Sequence, residues 1–375
     1  MSRRARFGAG LALLLVAVLG ALAYQGYVWI EAQYQAPGPA TALSRIQVEP
    51  GTSLRVVLAR LEAAGTVRNA RAVEWHLRLH GLHPKVQAGE YEIFPLASPA
   101  QIIQMFEEGR VVLEQVTVVE GSRFEDFLDT LAQHPHVQHT LAGRTPPQVM
   151  ALLGHPGLAP EGEFFPDTYR FAANTSDTVI LALAYERMQK ELDAAWQARE
   201  PGLPFDTPYQ ALILASMVEK EAALKSERAE IAGVFVNRLR RGMRLQSDPT
   251  VIYGLGEGYD GSIHTRDLTT DNPYNTYTRD GLPPTPIALP GEASLRAAVQ
   301  PARTGALYFV ATGLNDGAHH FSSTLEEHNS AVKTYLARLR AQEHPQKGPA
   351  AVSRPPAAAA PAPGSEHGGA RAPHP

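Results

Sequence analysis

The chain has 375 residues, 44 % of them apolar and 19 % charged, a formal net charge of −4 at pH 7, and no cysteine. That length suits two domains with a sizeable core. The mild acidity offers no broad basic surface, so nucleic acid is not an expected partner, and the lack of cysteine excludes disulfides and thiolate chemistry.

The N-terminus reads as a membrane anchor. Residues 1–6, "MSRRAR", precede an uncharged apolar run from Phe7 to Ile30. As a helix this run spans about 36 Å, enough for a hydrocarbon core of ~30 Å. Arg3, Arg4 and Arg6 lie before it and Glu31 after it, so the positive-inside rule leaves the N-terminus cytoplasmic and sends the body outward. Tyr24, Tyr27 and Trp29 suit an outer aromatic belt. Ala21–Leu22–Ala23 resembles a signal-peptidase site, but the apolar run continues beyond it, which favours an uncleaved anchor. Both readings place the body outside the cytoplasm.

Residues 31–44 read as a linker, and 45–115 as a small α+β module. A weak internal repeat begins in it: "VEPGTSLRVVLARL" and "VVEGSRFEDFLDTL" align on Gly51 and Gly121. Each copy predicts a strand, a glycine turn, a capping hydroxyl and an amphipathic helix. Periodicity alone makes the module a spacer or a carbohydrate-binding unit of LysM type, and favours the spacer.

Residues 116–341 read as a mixed α+β domain. "DTVILALAYERMQKELDAAW" predicts a long helix. "TPYQALILASMVEKEAAL" predicts another, with Thr207 capping, Pro208 in the first turn and Gln210 reaching back. "ERAEIAGVFVNRLRRG" predicts a third. The Gly-, Pro- and Asn-rich tract from there to about Pro290 is long for a loop, and such loops are usually functional. Residues 342–375, rich in Pro, Ala and Gly, predict a disordered tail.

The chemistry centres on "EKE". Glu219 and Glu221 project about 200° apart on a helix, so they do different jobs. Glu219 has Ala215, Ser216, Ala222 and Ala223 as helical neighbours. Their small side chains leave room for a substrate, and an apolar setting raises a carboxyl pKa; the bland alternative is a paired, buried carboxylate. Glu221 faces Lys225 one turn on, which reads as a structural ion pair. "EGEFFPDTYRF" combines Glu163 with aromatics, as a sugar site or a packed turn. "RLQSDPTVIYG" offers Gln246 and Asp248, the latter also a turn initiator before proline. "DNPYNTYTRDGLPPTPI" carries Tyr274 and Asn275. "GAHHFSSTLEEHN" holds His319, His320 and His328, whose spacing fits no zinc template and suits a helix start capped by Thr324. No metal or cofactor is expected.

Five ordered stretches, "EGEFFPDTY", "ASMVEKEA", "VFVNRLRRGMRLQSDPTVIYG", "YNTYTRDGLPPTPI" and "HHFSSTLEEHN", resemble the motifs of the YceG-like endolytic murein transglycosylase family (MltG type). Glu163, Thr285 and the "LPG" at Leu289 to Gly291 depart from the usual pattern. The resemblance implies a lytic transglycosylase anchored in the inner membrane with its catalytic domain in the periplasm. It implies that Glu219 is the catalytic glutamate, acting as acid and then base on the bond between N-acetylmuramic acid and N-acetylglucosamine in peptidoglycan, and leaving a 1,6-anhydro end. It makes residues 45–114 a LysM-like subdomain. Its implied partners are glycan strands and cell-wall synthases of the penicillin-binding class. Glu163, Gln246, Asp248, Tyr274, Asn275 and His319 are the candidate substrate contacts. The competing readings are a lysozyme-type muramidase using water and a second carboxylate, Asp248 or Glu163, and a non-catalytic peptidoglycan-binding scaffold.

Overall fold

The structure, a computed structural model, describes residues 3–343. Of the disordered tail expected at 342–375, Gln342 and Glu343 are helical, and the remainder lies outside the described residues.

Helix α1 (Arg3–Gln35) contains a stretch, Gly10–Gln35, long and apolar enough to cross a membrane. Its side chains are exposed from Gly10 to Trp29. From Ile30 the helix begins to bury one face, and Tyr34 joins the core of the following module. Residues 31–35, expected as linker, are therefore the docked last turn of this helix.

The module is built from strand β1 (Ser44–Val48), helices α2 (Leu54–Ala63) and α3 (Ala70–Leu79), and strand β2 (Gly89–Ile93). The two strands pair antiparallel, Ser44 opposite Ile93 and Val48 opposite Gly89. Alternation buries Gly89, Tyr91 and Ile93 on the face that meets the helices. Helix α4 (Pro99–Glu107) closes the core with Ile102, Ile103 and Phe106. It starts as its sequence predicts, with a capping box between Ser98 and Gln101.

Strand β3 (Leu113–Thr117) and helix α5 (Phe124–Gln133) form the second copy of the repeat. Gly51 and Gly121 both adopt φ = +79°, the left-handed region that only glycine enters cheaply. The same turn bond follows in each: Thr52 N–H to Glu49 O at 3.1 Å, Ser122 N–H to Val119 O at 3.2 Å. The expected hydroxyl caps do not form. Ser53 makes no side-chain cap bond, and α5 is capped by Asp126, which accepts from Arg123 N–H at 2.8 Å. A carboxylate in the first turn satisfies the same free N–H and also suits the helix dipole.

Strand β3 crosses the expected boundary at residue 115. It pairs antiparallel with β5 (Thr168–Ala172), Val116 opposite Tyr169, and so belongs to the second domain. β4 (Val137–Gln138) runs parallel to β6 (Thr175–Ser176). Helices α6 (Pro146–Leu152) and α7 (Asp177–Gln197) pack against this layer.

The second core surrounds α8 (Pro208–Glu221). Every residue from Ala211 to Glu219 is buried, as expected of a helix apolar on all sides. Around it lie α7, α9 (Arg228–Arg240) and α12 (Glu292–Val299). α10 (Asp248–Leu255) and α11 (Thr265–Thr269) sit within the long irregular tract. The hairpin β7 (Tyr308–Ala311) and β8 (His319–Ser322) and helix α13 (Leu325–Glu343) complete the domain. The architecture is the mixed α+β arrangement expected.

Candidate active site

The end of α8 positions the site. Thr207 and Gln210 form the expected capping box at its start. The helix stops at Glu221, where Ala222 takes an extended conformation. Glu221 is thus the last helical residue, where a buried helix reaches a cavity of about 500 Å³.

Glu221 lines that cavity with Gln246, Asp248, Tyr277, His319 and His328. The Ser247 hydroxyl donates to Glu221 Oε1 at 2.5 Å. Burial pushes the Glu221 carboxyl up to about 7; the Ser247 bond opposes this and the charge of Asp248 adds to it. The expected ion pair with Lys225 is absent among the described contacts. The helix ends before a full turn separates the two residues, and Lys225 opens a 3-10 turn instead.

Gln246 is held in the left-handed region at φ = +51°. Its amide oxygen accepts from Arg238 Nη1 at 3.2 Å, and its N–H donates to Thr276 O at 3.1 Å. Arg238, itself buried, also donates to the carbonyls of Arg244, Leu245 and Leu307, and so fixes the cavity wall. Asp248 accepts from the Tyr277 hydroxyl at 2.5 Å; burial and this carboxylate push the phenol pKa up. His319 pairs through Nδ1 with Glu227 at 2.8 Å. His328 stacks on Tyr308, its Nδ1 buried with no hydrogen-bond partner among the described residues. Burial and the nearby Arg238 charge push its pKa down.

Glu219 sits elsewhere. Its side chain is 3 % exposed and ion-paired with Arg228, Oε1 to Nη2 at 2.5 Å. Its second oxygen accepts from Gly291 N–H at 3.0 Å. The space expected over Ala215, Ser216 and Ala222 is taken by protein: Ser216 Oγ accepts from Ile287 N–H at 3.0 Å, and Gly121 packs against the Glu219 side chain. Small residues on that face admit a neighbouring backbone, not a substrate. This corrects the expectation of an open, apolar setting for Glu219; the paired, buried alternative is the one realised.

Of the other candidates, Gln246, Asp248 and His319 meet at the cavity with Glu221. Glu163, Tyr274 and Asn275 do not line it. Glu163 is buried and accepts from Gln189 at 2.8 Å; burial pushes it up to about 7. Tyr274 lies edge-on to Tyr253 and bonds Thr285. Asn275, 1 % exposed, donates to the carbonyls of Asp267, Leu268 and Thr270 and accepts from Tyr277 N–H. A side chain with its polar groups so fully used holds the loop together and has nothing left for a sugar.

Sequence reasoning missed Glu221, Ser247, Tyr277 and His328 as parts of one site. The available signal was position: "SDP" marks a helix start, and Glu221 closes an otherwise buried helix.

A family model described as YceG-like family matches residues 46–334. An endolytic murein transglycosylase of Bacillus subtilis (strain 168) is 30 % identical over 311 residues, covering 78 % of this chain and 84 % of that protein. One from Streptococcus pneumoniae serotype 2 is 24 % identical over 358 residues, covering 86 % of this chain and 64 % of that protein. A crystal structure titled as a putative yceG-like protein from Listeria monocytogenes is 28 % identical, with a TM-score of 0.47, covering 77 % of this chain and 98 % of that one. The family match runs from β1 into α13 and takes in both the N-terminal module and the cavity, so this chain belongs to the YceG-like family.

Proposed function

We propose that this protein is a membrane-anchored lytic transglycosylase that cleaves peptidoglycan glycan strands, with Glu221 as the single acid–base group. The observation that carries this reading is a carboxyl raised to about 7, opening onto a polar cavity of about 500 Å³. Raised carboxyls in clefts are the groups that deliver protons near neutral pH. The relatives' shared name, endolytic murein transglycosylase, supports the substrate class.

In this reading Glu221 gives its proton to the oxygen linking N-acetylmuramic acid to N-acetylglucosamine. The C1–O bond breaks and the N-acetylglucosamine leaves with that proton. The C6 hydroxyl of the same muramyl ring attacks C1, and Glu221, now ionised, takes the hydroxyl proton. The product is a 1,6-anhydro end and the enzyme is restored. An intramolecular nucleophile contributes up to ~7–11 kcal/mol through its effective concentration, so no second carboxylate is required to activate water. Gln246 and His319, both lining the cavity, are the donors and acceptors for sugar hydroxyls and acetamido groups.

The N-terminal module, with its own cavity lined by Phe94, Gln101, Gln104 and Arg110, serves in this proposal as a LysM-like glycan grip. Arg3, Arg4 and Arg6 in the first turn of α1 support, by the positive-inside rule, a cavity outside the cytoplasmic membrane, where this reading puts nascent strands and the penicillin-binding synthases that make them within reach.

Asp248 favours a second reading, hydrolysis, because a second carboxylate shares the cavity. Digestion of purified sacculi decides between them. Anhydro ends weigh ~18 mass units less than hydrolysed ends, the mass of one water. Wild type is expected to release anhydro products and Glu221→Gln to release them ~10²–10⁴-fold more slowly. Hydrolysed ends would replace the first reading by the second, and full activity in Glu221→Gln would overturn both.

A further inference from the structure

We propose that Glu31, His76 and His80 form a binding site for one divalent transition-metal ion of the zinc class, which clamps the anchor helix to the N-terminal module. Glu31 lies where α1 leaves its exposed apolar stretch. His76 and His80 lie four residues apart at the end of α3 and so share one face. Glu31 Oε2 is 3.1 Å from His76 Nδ1 and 3.4 Å from His80 Nε2, and the three ligand atoms all lie within 4.8 Å of one another. A tetrahedral zinc ion with bonds of ~2.0–2.1 Å holds its ligand atoms roughly 3.3–3.4 Å apart. The two measured separations bracket that edge.

A second observation points to a ligand. His76 is 5 % exposed, and among the described residues neither its buried Nδ1 nor the buried Glu31 Oε2 makes a hydrogen bond of good geometry, although the two lie within ion-pair distance. The two atoms face each other at 3.1 Å without the alignment a hydrogen bond needs. Leaving both unsatisfied is costly, and a shared cation satisfies both without demanding N–H alignment. The ring of His76 is held by Tyr34, stacked at 3.6 Å with 11° between planes, which presents Nδ1 in one direction. Two imidazoles and a carboxylate suit zinc, with a fourth position left for water. Glu31 and His80 keep about a third of their side-chain surface exposed, which provides an entry path. The ion's role is mechanical. It joins residue 31 to residues 76 and 80, and so fixes the angle at which the body leaves the membrane.

The test is titration of the full-length chain, in detergent micelles and freed of metal by chelator, with Co²⁺ and then Zn²⁺. The expected result is one equivalent of Co²⁺ giving the visible absorption of a low-coordinate N/O site, displaced by Zn²⁺, together with a higher thermal midpoint. His80→Ala and Glu31→Gln should each weaken this binding at least tenfold. Both side chains are partly exposed, so neither change threatens the fold as loss of His76 would. Absence of the cobalt band, or a band of equal affinity in the Glu31→Gln/His80→Ala double variant, would overturn the site.

Discussion

The Ser247 hydroxyl donates a 2.5 Å hydrogen bond to Glu221, joining the start of α10 to the last residue of α8. The bond stabilises the ionised carboxylate, while burial and Asp248 oppose ionisation. The balance leaves a carboxyl poised near neutrality, the condition for giving and then recovering a proton.

Replacing that carboxyl by an amide preserves its shape and removes its proton. Glu221→Gln is expected to lower sacculus cleavage by ~10²–10⁴-fold, the span of general acid–base catalysis, while sacculus binding persists. Release of soluble muropeptides against pelleted enzyme measures the two separately.

The rate should fall as pH rises through about 7, because the protonated acid is then lost. Ser247→Ala removes the bond that holds this pKa down, so its alkaline limb should move to higher pH. A pH–rate profile with an unmoved limb would break the link between these two residues.

Glu219 should matter for stability. Breaking a buried ion pair strands the partner's charge and costs about 3–5 kcal/mol. Glu219→Gln and Arg228→Ala are therefore expected to unfold at lower denaturant. Molecules that remain folded should still form anhydro products, which activity per folded molecule in the denaturation series will show.

Burial of Glu163 predicts a pH-dependent stability. Its carboxyl rises to about 7 in the fold against ~4.3 in an unfolded chain. Between these values the folded state holds more protons, so stability falls as pH rises through this window and levels off above it. Glu163→Gln should remove about 4 kcal/mol of that pH-dependent change across the whole window. Glu161, also raised to about 7 by burial, acts in the same direction. Thermal midpoints at pH 5 and 7.5 in one detergent test this.

Asn275→Ala would leave three carbonyls and one N–H of the 267–277 loop without their partner. Each buried group left unmet costs about 1–3 kcal/mol. Because Thr276 ties this loop to Gln246 and Ser247, the loss should reach the cavity. A higher KM accompanying the lower stability is expected.

Much of the molecule was legible along the chain. The N-terminal apolar helix, the capped start of α8, the glycine turns of the repeat and the α+β alternation depend on neighbours within a few residues, which sequence patterns report directly. The end of α1 was not legible, since its last turn is held by α3 and not by its own apolar run. The pairing of β3 with β5 was also hidden, because a strand's partner is a long-range choice.

The sequence by itself determined that two carboxylates of one helix point in nearly opposite directions, since positions i and i+2 of an α-helix differ by about 200°. Which of them faces a cavity was decided only by the tertiary structure. Arg228 and the backbone at Gly291 close over Glu219, while α8 ends at Glu221 beside Ser247 and Asp248. A carboxyl's protonation and access depend on groups brought from distant parts of the chain, and no local pattern encodes their arrival.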